Sequence, residues 1–133
     1  MPGSFRHFAR CLLLTGFSLV LSASAWADIN AFEFRLVEAD VKTGEAVVAV
    51  RVVNKSTGQA VPDAVIFARR LDMEPEAMRE MTAELEPLPP AEPGVYRFRT
   101  NFTMEGRWQL SLAAKVQGES GTLQARLGLQ ANK

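Results

Sequence analysis

One histidine and one cysteine occur among the 133 residues, and both, His7 and Cys11, fall within the first eleven. The remainder cannot build a Ser-His-Asp or Cys-His nucleophilic site, a zinc site of the usual N/S kind, or an imidazole-ligated haem. Nor can it close a disulfide, although an exported protein has that option. An excess of one charge is missing as well. Fifteen Lys and Arg balance fifteen Asp and Glu with no basic stripe, which argues against nucleic acid or an anionic membrane surface as partner. The nine glycines stand singly, so no Gly-rich phosphate loop is present. With these constellations absent, the expectation is a protein that is not an enzyme.

What the first residues do contain is an export pattern. Arg6, His7 and Arg10 come without an acidic residue, an apolar run follows from Cys11 to Leu21, and Ala25-Trp26-Ala27 closes it as an A-x-A cleavage site. The continuous apolar stretch is about ten residues, whereas a spanning helix needs roughly 20, so residues 1–27 read as a cleavable signal rather than an anchor. A lipid attachment would need cysteine just after the apolar run; Cys11 opens it instead, and no lipid anchor is expected. Residues 28–133 then form one domain with 13 basic and 15 acidic side chains, net −2, that is expected to be periplasmic or secreted. A domain of this size buries roughly two thirds of its unfolded surface and folds on one core without staples.

That domain alternates apolar and polar residues at a period of two, the mark of half-buried strands. Phe32, Phe34 and Leu36 alternate with Glu33 and Arg35. A Val/Ala run over 46–53 breaks at Asn54-Lys55-Ser56-Thr57-Gly58, and a third run over 64–71 closes on Arg69-Arg70. Tyr96, Phe98, Thr100, Phe102 and Met104 share one face of a later run that ends at the turn signal Glu105-Gly106. Trp108, Leu110, Leu112 and Ala114, then Leu123, Ala125, Leu127 and Leu129, continue the pattern. With a short strand near 82–85, about seven strands in some 100 residues predict an all-β, immunoglobulin-like β-sandwich.

Residues 71–94 interrupt the alternation with Pro75, Pro87, Pro89, Pro90 and Pro93. Residues 72–81 fit one or two helical turns, with Pro75 at the first helical position and Met78 and Met81 on one side. The prolines after Leu85 predict a stiff, extended connection. Long ordered insertions of this kind are more often functional than connective. Asp72, Glu74, Glu76, Glu80, Glu84 and Glu86 crowd the segment and read as a solvated acidic loop, since no apolar pocket is evident to perturb them.

Methionine is the chemistry that remains. Met73, Met78 and Met81 lie within nine positions, and Met104 sits beside Gly106 and Trp108. Thioethers are soft, neutral and carry no proton to lose, so three or four of them can hold Cu(I) or Ag(I) while ignoring Zn(II) and Mg(II). The same side chains also fill irregular ends of cores, and spacing alone favours that use. Trp108, in phase with Leu110 and Leu112, reads as a core anchor.

The run ending in Asp72-Met73, the methionines Met78 and Met81, then Gly94-Val95-Tyr96 and Met104-Glu105-Gly106-Arg107-Trp108 resemble the FixH/YtkA-like family of small exported or membrane-tethered β-sandwich domains. The matching features run from about residue 45 to 129. The resemblance implies an accessory role in copper handling, beside heavy-metal efflux or oxidase assembly, with Met73, Met78, Met81 and Met104 as the metal ligands. No histidine lies in the methionine segment, which leaves Cu(I) rather than Cu(II) as the implied ion. The competing expectation is a module that binds no metal and docks on a membrane efflux or oxidase-assembly complex through a sheet edge or the proline-rich loop. Neither fixes an oligomeric state.

Overall fold

The computed structural model describes residues 28–133; the signal expected over 1–27 lies outside the described residues. Asp28 caps a single 3-10 turn, Ile29–Ala31, by accepting from the Asn30 amide. Nine strands follow among the described residues: β1 Phe32–Leu36, β2 Asp40–Lys42, β3 Gly44–Asn54, β4 Val65–Met73, β5 Met78–Ala83, β6 Glu86–Leu88, β7 Val95–Phe102, β8 Gly106–Lys115 and β9 Leu123–Asn132. They form two sheets, β1-β3-β7-β6 and β2-β9-β8-β4-β5, packed as an immunoglobulin-like sandwich. Every ladder is antiparallel except β2 on β9.

Seven of these strands are the expected ones, and β2 and β6 are additions of three residues each. The proline-rich connection bends and turns over 91–94, but it is extended over Glu86-Pro87-Leu88, which pairs on the outer edge of β7. Proline is tolerated there because an edge strand need not donate on both sides.

The expected helix over 72–81 is corrected. One 3-10 turn, Glu74–Glu76, carries Pro75 in its first positions, and Ala77 ends it with a left-handed φ of 59°. Residues from Met78 onward then turn back as β5 against β4. Packing against the existing sheet satisfies more backbone groups than a second isolated helical turn would, since nucleating a short helix is unfavourable.

The core lies between the sheets, where the alternating residues meet. Val48, Val50 and Val52 of β3 and Phe98 and Phe102 of β7 face Leu71 of β4, Trp108, Leu110 and Leu112 of β8 and Leu129 of β9. Trp108 is fully buried and meets Phe102 edge-to-face, ring centroids 5.5 Å apart at 81°. That arrangement suits two aromatic quadrupoles.

Candidate functional site

The methionine segment gathers at one pole of the sandwich, where the end of β4, the 3-10 turn and the start of β5 meet the β7–β8 turn. Met73 is fully buried and pairs in the β4–β5 ladder with Met78. A bulge after Asp72 shifts the register by several residues, so Asp72 opposes Thr82 while Met73 opposes Met78. This re-phasing packs both Met78 and Met81 against the core, half-buried, although three-residue spacing in a regular strand would send them to opposite faces. Met104 is not on the strand face expected for it. Strand β7 ends at Phe102, and Met104 lies in the turn beyond, 39% exposed, with its carbonyl accepting a 3.1 Å hydrogen bond from the Trp108 indole.

Of the acidic residues in the same segment Glu80, Glu84 and Glu86 are exposed, as expected, but Asp72, Glu74 and Glu76 are not free, and two of these fasten the segment to β8. Glu76 accepts from both the backbone amide and Nε of Arg107 at 3.1 Å, and Arg107 also donates to the Pro75 carbonyl at 3.0 Å. Those donors favour the charged form and hold the Glu76 carboxyl below its ordinary value. Glu74 accepts from Gln109 at 3.1 Å, while buried Asp72 accepts from Arg70 Nε at 2.6 Å and from the Glu74 amide at 3.1 Å.

The remaining motif residues act as locks. Gly106 has a φ of +135°, which an L side chain rarely adopts, and a Cβ there would stand 2.8 Å from the Met73 methyl, which would have to shift. Gly94, φ +80°, lies so close to the β3–β4 loop that a Cβ would meet Ala60 Cβ at 2.5 Å. Two residues on, the Tyr96 hydroxyl donates to the Val61 carbonyl at 2.7 Å and accepts from the Ala64 amide at 3.0 Å. Burial pushes the Tyr96 hydroxyl's pKa up, so it stays a neutral donor.

A more open feature lies on the outer face of the five-stranded sheet, where an exposed cleft of about 460 Å3 runs across β4, β8 and β9. Register builds it: Ser111 is opposed by Arg70 on one side and Arg126 on the other, and the next row is Ala68, Ala113 and Gln124. Arg79 of β5 completes the rim. Small residues make the floor and arginines the walls. The Arg70 guanidinium is fixed by Asp72 and by a 2.8 Å bond to the Arg79 carbonyl, yet its side chain remains 45% exposed. Among the described residues the side chains of Arg79 and Arg126 make no hydrogen bond or ion pair.

Residues 27–113 match the model of the YtkA-like family. The chain belongs to the YtkA-like family. The YtkA-like match takes in the methionine segment, Gly94-Val95-Tyr96 and Met104 to Trp108, and stops before β9. No curated protein matches. Among solved structures, the chain is similar to the Lin-41 filamin domain at 16% identity and a TM-score of 0.48, over 74% of this chain and 91% of that one. It is similar also to an endo-beta-1,4-mannanase from Thermotoga petrophila at 17% identity and a TM-score of 0.44, covering 77% of this chain and 20% of the mannanase. Among the described residues no helix is long and apolar enough to cross a membrane, and no three His, Cys, Asp or Glu side chains are grouped to hold a metal ion. The four methionines share a pole, but Met73 is sealed in the core and Met104 stands outside it. Sequence reasoning missed the arginine-lined cleft altogether.

Proposed function

We propose that this YtkA-like chain is an exported, non-catalytic accessory module that works by docking on a membrane efflux or oxidase-assembly complex. The observation that carries the reading is the state of the methionine segment. Its buried thioether, its carboxylates and its glycine partner are spent on holding the fold, so what the molecule offers a partner is surface. Export rests on Arg6, Arg10, the apolar run and Ala25-Trp26-Ala27. The test places photo-crosslinking residues at Gln124, Phe67 and Val47, one on each outer face and one on the β4 edge, in the protein expressed in its own cells. A discrete adduct from one position, with a membrane protein, is the expected result. Absence of an adduct from every position would remove the docking reading.

A second reading keeps the methionines as ligands for Cu(I) or Ag(I), and the shared pole of Met73, Met78, Met81 and Met104 favours it. The solvent-reachable sulfurs would be those of Met78, Met81 and Met104, with Met73 joining after a local shift. Replacing Met78 and Met81 together by Leu nearly conserves volume and costs under about 1.5 kcal/mol. On this reading an anaerobic Cu(I) titration of the parent shows one site, nearly flat in affinity with pH because thioethers carry no proton, and the double variant loses it. Equal binding by parent and variant would leave the methionines as packing.

A further inference from the structure

We infer that the outer face of β4, β8 and β9 is the docking surface of this module, and that its occupant is an acidic polypeptide segment of the partner. The inference rests on the docking reading and gives it a place and a chemistry.

The argument begins with charge. The outward residues of β8 are Arg107, Gln109, Ser111, Ala113 and Lys115, and those of β9 are Gln124, Arg126, Gly128, Gln130 and Asn132, with no carboxylate in either set. Two carboxylates border the cleft: Asp72 is neutralised by Arg70, whereas Glu74 is bonded to the neutral Gln109 amide and keeps its charge. With Arg69, Arg70, Arg79 and Arg126 against Asp72 and Glu74, the lining of the cleft is net positive although residues 28–133 carry a net charge of −2. On the opposite outer face Arg35 pairs with Glu33, Arg99 with Glu86 at 3.7 Å, and Arg97 donates to the Pro89 carbonyl at 2.7 Å, while the Arg51 side chain makes no hydrogen bond or ion pair among the described residues. What sets the cleft apart is that two guanidiniums without a partner among the described residues, Arg79 and Arg126, border one trough together with Arg70.

Shape selects the kind of anion. Arg70 and Arg126 flank Ser111 from neighbouring strands on either side, about 10 Å apart along the sheet. Their donors are spread along a trough floored by Ala68, Ser111 and Ala113, and the backbone groups beneath them are used in the ladders. A small phosphate is better held by donors that converge, such as a nest of free backbone amides. Carboxylates spaced along a chain match a spread row of forks, each of which can take one bidentately. Pre-fixing of Arg70 by buried Asp72 lowers the cost of ordering one fork before the partner arrives. Val65, 59% exposed and opposite Lys115, stands beyond Ala68 on β4 and adds apolar surface at one end of the trough.

Two measurements test this. In the first, the purified 15N-labelled protein is titrated at low salt with deca-glutamate and, separately, with inorganic phosphate. Deca-glutamate is expected to shift amides of 68–70, 109–113 and 124–128, with affinity falling at least tenfold in Arg79→Ala/Arg126→Ala and unchanged in Arg51→Ala. Raising the salt is expected to weaken it steeply, since exposed charges are screened over about 10 Å at 0.1 M. Equal affinity in the double variant, or shifts on the other sheet, would overturn the inference. Phosphate saturating the same amides as tightly would make this a small-oxyanion site, and concentration-dependent shifts without peptide would make it a self-interface; either overturns it. In the second measurement, the crosslinker at Gln124 is expected to give the adduct and to lose it in Arg79→Glu/Arg126→Glu. An adduct from Val47 alone would move the docking surface and sink this inference while leaving the docking function standing, whereas no adduct anywhere would sink both.

Discussion

The methionine pole and the arginine-lined face lie within a few strand positions of each other, yet they use similar material in opposite ways. At the pole most groups with chemical character are turned inward or tied down, Met73 against Gly106, Glu76 on Arg107 and the Trp108 indole on the Met104 carbonyl, while the Met104 side chain is left exposed. On the face, Arg79 and Arg126 border a floor of small side chains, and their own side chains are bonded to nothing among the described residues. Residues that recognise the family need not be residues that perform its task. Locks must be particular in sequence because geometry leaves them one solution, while a docking face needs charge and shape that many sequences supply.

If the pole is structural, damage there should cost stability first. Trp108→Ala removes the largest fully buried side chain and is expected to cost about 3–5 kcal/mol in denaturant unfolding. A loss under about 1 kcal/mol would put the indole outside the core and return it to a functional role. Gly106→Ala is expected to cost about 1–3 kcal/mol, because the new methyl would need both a strained backbone and the space of the Met73 terminus. A neutral result there would show that the Met73 methyl is free to move, which is what a metal-binding pole requires.

The Glu76 clamp sharpens the comparison through pH. Its carboxyl titrates below 4.5 in the folded protein, so the clamp stabilises fully above that ordinary value and loses its contribution as pH falls through the lowered folded value. Glu76→Gln is therefore expected to have a lower melting temperature than the parent at neutral pH, with the two curves converging in acid. A gap that is unchanged down to strongly acidic pH would mean that the charge on Glu76 does not fasten the segment.

How much of this was legible depended on whether a feature is local. The alternation of Trp108, Leu110, Leu112 and Ala114 announced both the strand β8 and its buried face, since period two is written in consecutive residues. Strands β2 and β6 were hidden because three residues are too few to show a period. Residues 72–81 misled because Pro75 and the spacing of Met78 and Met81 suit a helix, whereas the left-handed Ala77 and the bulge after Asp72 decide the outcome and depend on the sheet already present. The cleft was the least legible. Arg70, Arg79, Ser111 and Arg126 become neighbours only through the β4–β8–β9 register. The one signal available was that the outward positions of the last two strands contain no carboxylate.

The smallest expected effect separates the two regions most cleanly. Arg79→Ala/Arg126→Ala is expected to change unfolding free energy by no more than about 0.5 kcal/mol, as exposed substitutions away from caps, cores and networks do. Arg70→Ala makes the informative contrast: it leaves the Asp72 carboxylate buried without its cation and should cost clearly more, since breaking one side of a buried pair is expensive. Chemical denaturation of the two variants side by side checks both. If the double variant lost more than about 1 kcal/mol, those guanidiniums would be holding the sheet together, and the face would be a second lock rather than a surface held ready for a partner.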